Sequence, residues 1–247
     1  MSYGEYKQKG IEAPYELVIN AKENHLYYFG EAHSNDISHP QWPKWHEFWK
    51  DFLNKTENKK RIVFIEGNST HLYSNEEEAI LSAGGMGLAV LKAKQNNIEV
   101  YSPEPGREEE MSEIEKLHPS ELVIYFYIAR QVAQWGRMME PKPGIEAYLG
   151  NYLKYYQTSF EAVKNTHKEL FNKDFDQNDT GFFHSIVDPI FPERSVINTI
   201  SQEVNNMRDR YIANKICEYI RNDLSVFAQF GHTHVVMQEP LLRELLS

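Results

Sequence analysis

The sequence predicts an α/β fold, a mostly parallel mixed sheet flanked by helices with a helical cap or insertion. Three observations predict it: short β-rich runs recur along the chain, helical periodicities stand between them, and a long central block is helical throughout. Strands that alternate with helices imply a sheet covered on both faces, since the helices must bury their apolar stripes against it. No linker, repeat or low-complexity tract divides the 247 residues, so one domain is expected, with residues near 106–194 as a candidate lid.

Tyr15–Asn20 and Leu26–Gly30 are β-rich runs separated by the polar AKENH, which suits a hairpin or two sequential strands. Trp45, Phe48, Trp49 and Phe52 then recur at helical spacing and give one aromatic face. Arg61–Glu66 is a short continuous apolar run of the kind buried on both faces of a parallel sheet. Ser74 with Glu77 forms a capping box, opening a helical stretch to Asn97 that GGMG, Gly84–Gly87, interrupts. Ile98–Ser102 is the next strand. Helices follow over Pro119–Met139, Ile145–Thr158 and Phe160–Phe171, then the loop-like NKDFDQNDTG. Ile197, Ile200, Val204, Tyr211 and Ile216 mark a long helix over Ser195–Arg221, and the strand Ser225–Phe230 runs into GHTH.

A formal net charge of −10 argues against nucleic acid and anionic lipid as partners, because both demand a concentrated positive surface. Cys217 is the single cysteine, so neither an intrachain disulfide nor a thiolate metal cluster can form, and a reducing compartment fits. The amino terminus has no apolar core of a signal peptide, and the longest apolar run, Leu122–Ala129, is too short for a bilayer. The expectation is a cytoplasmic protein without membrane insertion, acting on a small-molecule or peptide substrate.

Four predicted strands end in polar clusters: Glu31 with His33, Glu66 with Asn68, Glu104 with Arg107, and His232 with His234. In open α/β sheets ligands bind outside the carboxyl ends of strands, so these clusters are expected to converge on one crevice. Two Glu and two His there provide a base, an acid and metal-ligand donors. Arg208 lies four residues after Val204 on the stripe that faces the core, where its charge needs a carboxylate, Glu31 or Glu66. It serves either as a strut beneath the site or as a clamp for an anionic group; Asp209, about 100° around the helix, is its neighbour or is exposed.

Other motifs carry less. GGMG lacks the Lys and Ser/Thr of a phosphate loop and reads as a helix break or a site of tight packing. There is no GxSxG elbow, Cys217 sits among core positions, and Lys50 stands where HExxH needs its second His. His39 and His71 read as solvated loop residues.

In order, GEAH at 30–33, Glu66 in FIEGN, Arg208 and Asp209 in MRDRYIANKI and GHTH at 231–234 resemble the motif series of the erythromycin-esterase, ChaN-like and Tiki clan. GEAHSN, with Pro240 and Leu242 near the end, is most similar to the ChaN-like branch. The resemblance covers the chain from about residue 15 to 245; Ile212 and Ala213 stand where RDxxMA has its last pair. The resemblance implies a hydrolase of ester or amide bonds more than any other class, with haem or small-ligand binding without turnover as the alternative. Glu31, His33, Glu66, His234 and Arg208 would then be catalytic, and Asn68, Glu104, Arg107, His232 and Asp209 would contact substrate. Two routes stay open: a divalent ion (Mn, Co or Zn) held by His33, His234 and Glu66, or metal-free catalysis with His33 as general base.

Overall fold

A computed structural model describes residues 5, 6, 9–67, 71–138 and 140–247. The chain divides into two compact units, Met1–Pro105 with Arg208–Ser247, and Gly106–Met207.

The first unit is built on a five-stranded sheet of order β1-β2-β5-β3-β4, whose strands are β1 (Tyr15–Ala21), β2 (Asn24–Glu31), β3 (Lys60–Ile65), β4 (Glu99–Tyr101) and β5 (Leu224–Gly231). β1 and β2 form an antiparallel hairpin, while β2, β5, β3 and β4 run parallel, so the expected mixed, mostly parallel sheet is present. Alternation decides the faces, because successive side chains of a strand point to opposite sides. Tyr27, Phe29, Val63, Ile65 and Phe227 pack against α1 (Gln41–Lys55) and α2 (Glu76–Gln95). Leu26, Tyr28, Ile62, Phe64, Val226 and Ala228 face the other way, onto Ile212, Ile216 and Ile220 and onto Val235, Leu242 and Leu246. The aromatic face of α1 is the densest part of the core. Trp45 stacks on Trp49 at 5.5 Å, and Trp49 meets the edge of Phe227 at 4.8 Å.

One local reading needs correction, and one helix after GHTH went unassigned. The cap of α2 is Asn75, whose side chain accepts from Glu78 N at 2.8 Å, while Ser74 N donates to Glu78 Oε2 at 2.7 Å. The reciprocal pair is the expected one moved by a single residue, since Asn caps as well as Ser. More consequential is a terminal helix, His232–Leu246, that follows β5 without a loop. Pro240 lies exposed inside that helix, and the burial of Val235, Val236, Leu242 and Leu246 outweighs the one lost backbone bond.

The second unit is helical: α3 (Arg107–Glu115), α4 (Ser120–Gly136), α5 (Ile145–Tyr155), α6 (Phe160–Phe171) and α7 (Thr180–Ile186). The next helix, α8 (Val196–Arg221), contributes residues to both units, and the terminal helix is α9. Val123, Phe126, Ile128, Leu149, Phe183, Ile197 and Ile200 make the helical unit's own core. α3 and α7 escape the sequence reading; α7 is short and is capped from the loop-like stretch by Asp179, whose carboxylate accepts from Phe182 N. Among the described residues no helix is long and apolar enough to cross a membrane.

Phe227 is fully buried on the central strand and touches Trp45, Phe48, Trp49 and Phe52. Phe227→Ala is therefore expected to cost about 3–5 kcal/mol in urea unfolding, the range for deleting a core aromatic. A loss below about 1 kcal/mol would show that this layer is not the core.

Candidate functional site

Register places the site. β5 lies between β2 and β3, with Glu31 opposite Gly231 and Ile65 opposite Gln229, so the ends of three parallel strands come level. The backbone continues the ladder for one more step, Glu66 N donating to Gln229 O at 3.1 Å. Glu31, Glu66 and the GHTH turn thus leave the sheet side by side, as expected of a sheet whose ligands bind beyond the carboxyl ends of its strands.

The glycine of each GxxH segment is required by a close approach. A Cβ on Gly30 would lie 2.7 Å from the Cα of His232, and one on Gly231 would lie 2.5 Å from His33 Nε2. Each glycine makes room for the opposite segment.

Glu31 is buried, and its two oxygens have different partners. Oε2 accepts from Gly85 N at 2.8 Å, and Oε1 faces His33 Nδ1 at 3.2 Å. The His33 ring turns its other nitrogen toward Glu66 Oε2 at 3.8 Å. His234 repeats the pattern from the other side, with Nδ1 meeting Asp209 Oδ1 at 2.6 Å and Nε2 standing 3.6 Å from Glu66 Oε1. Glu66 is thus shared by two imidazoles, each backed by a carboxylate of its own. It also accepts from Gly231 N at 2.9 Å.

The charges follow from these contacts. Burial opposes ionisation of Glu66, but the close His234 ring, the charges of both imidazoles and the Gly231 N–H outweigh it and hold the carboxyl well below the usual carboxylate range. Burial likewise works against a charged His234, yet Asp209 and Glu66 together raise its pKa to about 10. The hydrogen bond to Glu31 raises His33, against burial and with help from the charge of Glu66. At neutral pH His234 is therefore an imidazolium between two carboxylates, and His33 is shifted in the same direction.

Behind Asp209 runs a buried polar chain that the sequence reading missed. Tyr28 Oη donates to Gln238 Oε1 at 3.0 Å, and Gln238 Nε2 donates to Asp209 Oδ1 at 2.9 Å. Asp209 Oδ2 is buried without a hydrogen-bond partner among the described residues, which leaves its charge to be answered through Oδ1. Gln238 follows His234 by four residues and so shares its helical face, a spacing visible only once α9 is recognised.

Arg208 points inward as expected, but its ion pair is with Glu104 Oε1 at 2.8 Å rather than with Glu31 or Glu66. The reason is position: Glu104 follows the edge strand β4, and its Oε1 also accepts from Gly67 N at 3.2 Å, tying the β3 exit to the arginine. Asp209 is buried and not exposed. His232 meets Tyr6 Oη at 2.7 Å, its pKa lowered by burial. Arg107 opens α3 in the helical unit, where its guanidinium lies 5.6 Å from the rings of both Tyr152 and Tyr155. Asn68 lies outside the described residues.

The triad suggested as metal ligands, His33, His234 and Glu66, does not fit an ion. Among the described residues no group of three or more His, Cys, Asp or Glu is arranged to hold a metal. Each ring instead directs its Nδ1 at a carboxylate of its own, Glu31 or Asp209, with Nε2 3.8 or 3.6 Å from Glu66. No family model, curated protein or solved structure matches the chain.

The two close approaches differ in what must give. Gly30→Ala strikes backbone and is expected to lower stability by about 1–3 kcal/mol, the cost of overpacking. Gly231→Ala strikes the tip of an exposed side chain, so it should keep its urea midpoint while the His33 ring resonances move. Equal stability losses for the two variants would contradict this geometry.

Proposed function

We propose that the protein hydrolyses an ester or amide bond of a small-molecule or peptide substrate, with His33 as general base and His234 as the charged hydrogen-bond donor. The observation that carries this reading is the sharing of Glu66 by two imidazoles whose far nitrogens are each held by a separate carboxylate. The ordered motifs similar to those of the erythromycin-esterase, ChaN-like and Tiki clan support the same class, and Cys217 as single cysteine suits a cytoplasmic setting.

With Nδ1–H directed at Glu31, neutral His33 keeps Nε2, 3.8 Å from Glu66 Oε2, as its basic nitrogen. That nitrogen takes a proton from water as the oxygen bonds to the carbonyl carbon; it returns the proton to the leaving oxygen or nitrogen when the tetrahedral intermediate collapses. His234, held cationic by Asp209, donates through Nε2 to the oxygen that gains negative charge. Glu66 aligns the two rings and keeps the positive charge of His234 in place. Arg208 and Glu104 brace the β3 exit through Gly67.

Activity should therefore rise with pH as His33 loses its proton, at a pKa above the ordinary imidazole value because the shift is upward. It should fall again as His234 deprotonates near about 10. A panel of ester and amide substrates assayed across pH tests this, together with His33→Ala and His234→Ala. Each variant is expected to lose about 10²-fold or more in kcat, roughly 3 kcal/mol of transition-state stabilisation. His33→Ala should retain its thermal transition, whereas His234→Ala, which leaves Asp209 and Glu66 without their shared cation, should melt lower. Full turnover in both variants would overturn the assignment.

A further inference from the structure

The glycine run in α2 has a partner that its helix-breaking role alone does not explain. α2 leaves helical geometry at Ala83 (φ −150°, ψ 20°) and Gly84 (φ 56°, ψ −139°) and resumes at Gly85. A helix that restarts exposes backbone N–H groups without acceptors four residues back, and it carries the partial positive charge of a helix start. The N–H of Gly85 donates to Glu31 Oε2 at 2.8 Å.

The approach is too close for any side chain. A Cβ on Gly85 would lie 2.1 Å from Glu31 Oε2 and 2.4 Å from Gln229 Nε2, and Gln229 cannot withdraw freely because Trp45 Nε1 donates to its Oε1 at 2.7 Å. A Cβ on Gly84 would come within 3.0 Å of Ser34 O, at a backbone angle that other residues rarely adopt. Both glycines therefore press on the segment that carries His33. The His33 side chain is itself 66% exposed, so packing does little to orient it and the contact to Glu31 must do so.

We propose that Gly85 is a positioning residue of the hydrolytic site: its backbone N–H holds one oxygen of Glu31 so that the other meets His33 Nδ1 and leaves Nε2 free to react. The inference rests on the reading of His33 as the base. It assigns the interruption of α2 to the site rather than to helix packing. Without the Gly85 donor, a buried carboxylate would keep His33 as its polar contact at that end, and the Glu31 side chain would regain the rotations that the second contact removes.

Gly85→Ala tests the role directly. On a substrate that the parent hydrolyses, the folded variant is expected to lose about 10- to 100-fold in kcat with KM within about twofold, the signature of a misplaced catalytic group. An unchanged kcat in folded Gly85→Ala overturns the proposal while leaving the proposed function standing. A second measurement needs neither that variant nor a substrate: in Glu31→Gln, the Gly85 amide proton should move upfield and exchange about tenfold faster or more, with the Leu88 amide unaffected. A Gly85 amide with the same shift and exchange rate in parent and Glu31→Gln overturns the proposal even if Gly85→Ala does not fold. Hydrolysis of nothing by the parent defeats the proposed function instead, and the amide readout still decides whether the contact exists.

Discussion

Glu66 is a carboxylate set between two imidazoles at the ends of three level strands, and its charge constrains everything around it. A half-buried carboxylate that gave up water without new partners would be protonated; this one keeps its charge because His234, His33 and the Gly231 N–H face it. Each imidazole in turn needs an acceptor for its far nitrogen, and Glu31 and Asp209 provide them. Those two carboxylates are more deeply buried than Glu66, so they need donors as well. Gly85 N serves Glu31 and the Gln238 amide serves Asp209. The site is a chain of such obligations running outward into α2 and α9, which explains why its supporting residues lie on helices and not on the strand-end loops.

Much of the fold was legible because it depends on local patterns. Continuous apolar runs marked β3 and β5, and the spacing of Trp45, Phe48, Trp49 and Phe52 marked α1. The convergence of GEAH, Glu66 and GHTH was legible too, since parallel strands put their carboxyl ends on one edge whatever their order. Sequence could not tell which strands would be neighbours. The placement of β5 between β2 and β3 brings Glu31 level with Gly231, and that pairing is a long-range fact without a local signal.

What escaped did so for identifiable physical reasons. No element was legible after GHTH, so α9 went unseen, and with it the four-residue step from His234 to Gln238 and the buried link to Tyr28. Arg208 needed a carboxylate, as expected from its place on the α8 stripe, but the choice among Glu31, Glu66 and Glu104 depends on the sheet's edge order. Gly84 and Gly85 read as a break because nothing in their neighbourhood names Glu31, 54 residues away, as the group that fills the space. Backbone donors leave no mark in a sequence except the glycine that lets a partner approach.

The account depends most on His234 being charged at neutral pH, since a neutral ring would neither hold Glu66 nor stabilise an oxyanion. Nitrogen-15 NMR of the histidine side chains, followed across pH with His234 identified by substitution, measures this directly. The account predicts both His234 ring nitrogens protonated through neutral pH, with the proton lost only near about 10. A His234 ring that is already neutral at about pH 7, near the reference range for histidine, would contradict it.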